Sequence, residues 1–215
     1  MRSFSRSTSR GRTTLNYSAT MTTQNPEHFT AVPLAKAYRL LNHGPTVLVS
    51  SAHNGIQNVM AAAWTMPLDF DPPKVTVVID KATLTRELVE GGGVFALNIP
   101  CRSMAAQTLA VGTESAKTIP DKLVKHNVNT FPASQIAAPL VHGCVGWLEC
   151  RVIPEPHNEK TYDLFIGEVV AAWADERVFS NGHWHFHEAP AKLRTLHYVA
   201  GGQFYLIGES LLIPD

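Results

Sequence analysis

Asn54–Pro73 reads NGIQNVMAAAWTMPLDFDPP, and Thr46–Ser51, TVLVSS, stands just before it. Thr46–Ser51 is rich in β-branched and apolar residues and reads as a strand. Asn54-Gly55 between two β-like runs is a strong hairpin signal, because both residues tolerate the positive φ of a two-residue turn. The spacing predicts the partner strand from about Gln57 to Ala63. Within it, Asn58 and Trp64 flank Ala61, Ala62 and Ala63. Small side chains let a flat ligand approach the backbone, an amide can bond the edge of a heteroaromatic ring, and an indole offers a stacking surface. The same residues also suit a buried strand with a packed Trp and a turn Asn. Asp69–Pro73 is expected as a loop.

Outward from this block, Lys74–Ile79 reads as a short buried strand. Ala82–Glu90 reads as a helix stopped by Gly91-Gly92-Gly93 and capped by Thr83 or Thr85. Lys81-Ala82-Thr83-Leu84-Thr85-Arg86 thus puts two hydroxyls and two cations at a helix N-terminus. Free N–H groups and the positive helix end suit a phosphate, and Arg86 can add a bidentate contact. An ordinary cap with solvated Lys and Arg is the other reading.

Upstream, Pro33–His43 reads as a short helix. Downstream, Val94–Ile99 is a strand, while Arg102–Val111 and Asp121–Lys125 are helical pieces. Cys144–Ile153, Leu164–Trp173, Arg177–Phe179, His183–Phe186 and Gln203–Ile207 read as strands. Short strands at close spacing with a few helices predict a mainly β fold, a barrel with helical additions. Residues 1–25 are expected to be a disordered tail, since Met1–Thr20 carry four arginines and no acid, and 26–215 to be one domain. Met21 is the expected working start.

The 215 residues carry no net formal charge, so no global field draws the chain to nucleic acid or a membrane. Apolar runs are too short to span a bilayer. Cys101, Cys144 and Cys150 lack CxxC spacing and read as reduced thiols of a cytoplasmic protein. No GxGxxG follows a strand, and there is no Walker-type loop, GxSxG elbow or HExxH helix. HWHFH, holding His183, His185 and His187, reads as three imidazoles on one strand face, but no metal is expected.

The ordered set NVMAAAW, TMPLDFDPP, KATLTRELVE, FALNIP, DLFIGEVV and LHYVAGGQFY resembles the flavin reductase-like, FMN-binding split-barrel family, which includes the flavoredoxins. The resemblance spans roughly residues 33–207. It implies a split β-barrel, a homodimer, and FMN near the subunit interface, with FAD or riboflavin as alternative flavin substrates. It implies flavin-contacting roles for Asn58, Val59, Met60, Ala61, Trp64 and Thr65, and phosphate binding by Lys81, Thr83, Thr85 and Arg86. Lys122 is similar to a basic residue of the family's flavin site. Tyr162 stands where the family often has His, and His197 is either a site residue or a packed strand histidine. The implied activity is hydride transfer from NAD(P)H to flavin N5 and electron delivery to an acceptor, which can be a redox partner protein. No acid or base is assigned, because the cofactor carries the chemistry. A flavoredoxin-like electron carrier without NAD(P)H activity and a non-catalytic flavin-binding protein are the alternatives.

Overall fold

The computed structural model describes residues 24–213, so the expected tail lies almost wholly outside the described residues. The chain enters through strand Phe29–Ala31 (β1) and helix Leu34–Ala37 (α1), which continues as a 3-10 turn, Tyr38–Leu40. Strands Val47–His53 (β2), Ile56–Ala62 (β3), Thr65–Phe70 (β4) and Pro73–Val78 (β5) follow. Helix Leu84–Gly92 (α2) leads to Val94–Ile99 (β6), then to helices Ala105–Thr113 (α3) and Lys122–Lys125 (α4). Two short strands, Thr130–Phe131 (β7) and Leu140–Val141 (β8), precede Gly146–Ile153 (β9). Helix Pro156–Tyr162 (α5) connects it to the long strand Leu164–Asp175 (β10). Phe179–Ser180 (β11), His183–Trp184 (β12), Leu196–Ala200 (β13) and Gln203–Leu206 (β14) complete the elements.

The main sheet runs β3-β2-β6-β9-β10-β5-β4, with β1 also paired to β10. β3 and β4 occupy opposite ends of this order, yet only Ala63 and Trp64 separate them in sequence. The sheet must therefore curl until its two edges meet without closing, which is a split barrel. Residues alternate between two cores. Val49, Leu97 and Leu148 point into one cluster with Phe95 and Phe165, and Leu48, Ala96 and Trp147 into the other with Phe131 and Leu140. Both faces are buried, which is why these strands read as continuous apolar runs.

The hairpin forms as its sequence requires, with Asn54 at φ 49 and Gly55 at φ 77. In the triple glycine, a Cβ on Gly92 would stand 2.7 Å from the Ala52 carbonyl, and Gly93 takes the left-handed cap at φ 67. The helix thus runs through Gly92, two residues beyond Glu90, because it must lie against the β2–β3 hairpin.

Three expectations are corrected. Asp69–Pro73 is not all loop: β4 reaches Phe70 and β5 begins at Pro73. Pro67 is tolerated because β4 is a sheet edge, and a bulge between Pro67 and Asp69 absorbs the misfit. Pro33–His43 is broken into a helical turn and a 3-10 turn. The three histidines do not share a strand face, since β12 ends at Trp184.

Phe95 is fully buried, with its ring tip where a Cβ on Gly167 would sit. Phe95→Ala is expected to cost about 3–5 kcal/mol in urea denaturation. A loss under about 1 kcal/mol would show that the barrel interior is not packed there.

Candidate functional site

Asn58 lies on β3 and faces the first turn of α2, where its Nδ2 donates to Thr85 Oγ1 at 2.8 Å. Both residues are buried, and Asn58 Oδ1 is a buried acceptor with no partner. It is one of eight buried side-chain polar atoms without a hydrogen-bond partner among the described residues, and it has room in its bonding for one more donor. Thr83 caps α2, its Oγ1 accepting from the Arg86 N–H at 3.2 Å. The approach loop is fixed by Asp80, whose Oδ1 accepts from Ala82 N and whose carbonyl accepts from Thr83 N and Oγ1. Lys81 is exposed beside this helix end. The arrangement suits an anion, with the positive helix end, two threonines and one free-standing cation together.

β3 is a sheet edge. In a two-residue hairpin the flanking pair exchanges hydrogen bonds, so Ile56, Asn58, Met60 and Ala62 bond to β2, and the main-chain groups of Gln57, Val59 and Ala61 point away from it. The side chain of Val59 is in the core, Met60 packs against the barrel interior, and Ala61 lies against α3, where a Cβ on Gly112 would approach it to 3.0 Å. These three positions therefore offer backbone, not side chains, to a flat ring. α2 packs against one stretch of β3 and α3 against another.

Other candidate residues lie further off. Trp64 is 75% exposed at the β3–β4 connection, and its carbonyl accepts from Val78 N. Thr65 is committed to the sheet, with Oγ1 donating to the Thr76 carbonyl at 2.8 Å. Arg86 is buried and bonds only protein acceptors, those of Glu90, Ile79, Glu159 and Asp163. Lys122 is also buried; its Nζ donates to the carbonyls of Val111 and Glu114 and caps α3. Burial pushes that amine down to about 8, against the opposing pull of Glu114. Tyr162 is exposed at the end of α5, edge-on to His157.

His197 packs away from Asn58. Its Nδ1 meets the Gly44 carbonyl at 3.1 Å, so Nδ1 carries the proton and the buried Nε2 is an unpaired acceptor. It faces His43, which sits among Trp184, Phe186 and His197. His183 lies near Arg39, His185 near Ser180 and His187 near Glu188. No group of three or more metal-ligating side chains occurs among the described residues. A cleft of about 440 Å³ between β1, α1 and β11 is lined by none of the candidate residues. Sequence reading missed Asp80, Glu159 and Asp163. Asp80 was findable as an Asx turn ahead of a capped helix, whereas the other two partner Arg86 only through the fold.

Residues 39–202 match the model of the flavin reductase like domain. The chain belongs to the flavin reductase-like family. An uncharacterized Escherichia coli protein, YddH, is 43% identical over 184 residues, 84% of this chain and 96% of its own. The crystal structure of an FMN-binding domain of a flavin reductases-like enzyme from Shewanella baltica superposes with a TM-score of 0.85 at 55% identity, covering 86% of this chain and 97% of its own. The flavoredoxin of Desulfovibrio vulgaris superposes at 0.67 with 25% identity, over 79% of this chain and 90% of its own. The split barrel of this flavin reductase-like chain is thereby shared with flavin-binding relatives.

Burial, together with the neighbouring His197, holds the His43 imidazole down at about 3, from its ordinary 6.5. Between these values the unfolded chain binds a proton that the folded chain does not. Stability therefore falls as pH drops below 6.5, by up to about 1.4 kcal/mol per pH unit. His43→Phe is expected to flatten this slope in urea denaturation between pH 4 and 7; an unchanged slope would place the acid sensitivity elsewhere.

Proposed function

We propose that this protein binds FMN against β3 and the N-terminus of α2, and works as an NAD(P)H-dependent flavin reductase that passes electrons to an acceptor. The buried, unpaired Asn58 Oδ1 carries the reading. It stands beside Thr85, and a flavin ring edge carries the N–H donor it lacks. Thr83, Thr85, Lys81 and the first-turn N–H groups would hold the phosphate. The outward N–H groups of Val59 and Ala61 would meet the polar edge of the ring, where negative charge gathers on reduction. Trp64 would supply a stacking face. Bound FMN supplies the acceptance of hydride from a nicotinamide and its onward release as electrons. The chain's part is to orient the ring, neutralise the phosphate and keep reactive groups away. Its cysteines fit that part, being buried and free, with burial pushing the Cys144 and Cys150 thiols up.

The homodimer belongs to the same proposal. Trp64, just ahead of β4, and Met66, Leu68 and Phe70, which alternate along it, are 75%, 55%, 45% and 66% exposed. A row of large apolar side chains on an unpaired edge strand is a surface that needs a cover. A second copy of the chain would cover it and bring Trp64, hence the flavin, to the subunit interface. We place the protein in the cytoplasm, where its thiols stay reduced. Among the described residues no helix is long and apolar enough to cross a membrane.

A second reading, an electron carrier that never meets NAD(P)H, is favoured by the likeness to a flavoredoxin. Titrating the purified protein with FMN should quench flavin fluorescence, and Asn58→Leu should raise Kd roughly tenfold, the loss of a buried hydrogen bond. Anaerobic NADH or NADPH should then bleach the bound flavin. Binding without bleaching moves the assignment to the carrier, and no binding removes both readings. Phe70→Glu should shift sedimentation toward the monomer; an unchanged dimer would put the interface on another face.

A further inference from the structure

We infer that the C-terminal arm, hairpin β13–β14 with the extended stretch after it, seats on the β4 row of a second copy, so that two protomers exchange arms. This rests on the homodimer reading above. Of the large apolar side chains exposed among the described residues, all but Leu34, Ile56, Val124 and Tyr162 lie in two stretches. One is the row from Trp64 to Phe70. The other is the arm, where Tyr198, Val199 and Tyr205 are exposed and Leu211, Leu212 and Ile213 are 86%, 89% and 78% exposed. Apolar side chains exposed singly are ordinary, whereas contiguous ones mark an interaction surface.

The arm is held firmly at its root. Thr46 N donates to the Leu196 carbonyl and Thr46 Oγ1 accepts from Tyr198 N, at 2.8 Å each, while Ile207 N donates to the Thr195 carbonyl at 3.2 Å. These bonds fix the start of β13 to the turn ahead of β2. Further out, Gly201 and Gly202 reverse the chain at φ 58 and φ 81, and Gly202 lies against Leu109 of α3. β13 and β14 form a sheet of two strands only. Such a hairpin is marginal in water by itself. The run Leu211-Leu212-Ile213 is in neither helix nor strand, and its own chain leaves it uncovered.

The chemistry of the two surfaces points to a second copy as the occupant. From Thr195 to Gly208 there is no Lys, Arg, Asp or Glu. Along β4 the one charged side chain, Asp69, is paired with Lys74 at 2.7 Å. Depletion of charge is the mark of a self-association interface, whereas a passing acceptor protein is steered by charge. Each chain carries both surfaces, so one two-fold axis seats each arm on the other chain's row and closes the assembly. Row against row alone would leave the arm bare. Together the two surfaces hold on the order of 1,000 Å² of exposed apolar side chain per protomer, above the roughly 800 Å² per partner of a standard stable interface.

The test uses full-length chains. Leu212→Cys chains are mixed with Met66→Cys, Leu68→Cys or Phe70→Cys chains and treated with a short bismaleimide, which the protein's own buried cysteines do not meet. At least one mixture should give a covalent pair of twice the chain mass, severalfold more than either variant alone. Leu212→Glu, at a position with no packing in its own chain, should keep the wild-type circular dichroism and weaken the dimer at least tenfold in sedimentation equilibrium. Added to Phe70→Glu it should weaken the dimer no further, as expected of two groups that meet. Linkage of Leu212→Cys chains to one another, with none to the row, puts arm against arm and overturns the exchange. Linkage only inside a single chain carrying both Met66→Cys and Leu212→Cys shows the arm folding back on its own row and overturns it too. A wild-type protein that sediments as a monomer removes the homodimer reading and the exchange with it. A wild-type dimer whose mixtures do not link, and which Leu212→Glu leaves intact, removes this inference alone.

Discussion

Ala63 and Trp64 join two strands that stand at opposite edges of the sheet. Three Cα–Cα steps from Ala62 to Thr65 span at most about 11 Å, so the adjoining ends of β3 and β4 are held within that distance and the strand path between them has to bend around a core. The end of β5, the start of α2 and the free edge of β3 meet in one region because of that bend. Small residues permit it. Ala61 is tight against Gly112 of α3, and a larger side chain there would push the packed helix away. The exposure of Trp64 follows from the same geometry, since a residue at the seam of an open barrel has no layer of its own chain above it.

On the proposed reading, the contrast between two buried asparagines is what sets the region beside α2 apart from the core. Asn98 is wholly buried on β6, where its Nδ2 donates to the Leu48 carbonyl and Ser50 Oγ and its Oδ1 accepts from Val141 N. The buried Glu149 accepts from Ser134, Gln135 and Trp173. Asn98 and Glu149 are thus satisfied, while several buried hydroxyls and ring nitrogens are not. Asn58 has the same chemistry and comparable burial, yet its carbonyl oxygen is left open. Leaving a buried acceptor open costs stability of about 1–3 kcal/mol, which a ligand donor would restore.

Local chemistry was legible in the sequence; long-range partnership was not. Asn54-Gly55 announced its hairpin because two positive φ values can be read from two letters, and the threonines at 83 and 85 with the triple glycine bracketed α2 to within two residues. Split-barrel membership came from an ordered set of motifs rather than from any one. β4 was hidden by Pro67, which argues against a strand unless the strand is known to be an edge, and edge status is visible only once the whole strand order is in place. α5 was hidden because it has no apolar face: PHNEKTY buries nothing, so periodicity has no signal there. Thr65 read as a site residue, but its hydroxyl is spent on β5, a pairing visible only once the register exists.

The cations show the same limit with a chemical consequence. Lys81 and Arg86 read as phosphate ligands, because a cation near a helix N-terminus suits an anion, and the resemblance makes Lys122 a basic residue of the flavin site. In the fold Arg86 and Lys122 are buried against the protein's own carbonyls and carboxylates, and each holds a neighbouring helix in place: Arg86 ties α5 to α2, and Lys122 closes the end of α3. Only Lys81 stays exposed. On the proposed reading, then, a flavin phosphate meets backbone N–H groups, two threonine hydroxyls and one mobile lysine, not a set of fixed guanidinium and ammonium clamps. Such a cradle orients the phosphate through hydrogen-bond geometry while adding little long-range charge, in keeping with a chain of zero formal charge. Affinity must then come mostly from the ring, from Asn58, the β3 edge and the aromatic seam at Trp64. The region forced together by the Ala63-Trp64 connection therefore decides both the fold and the strength of binding.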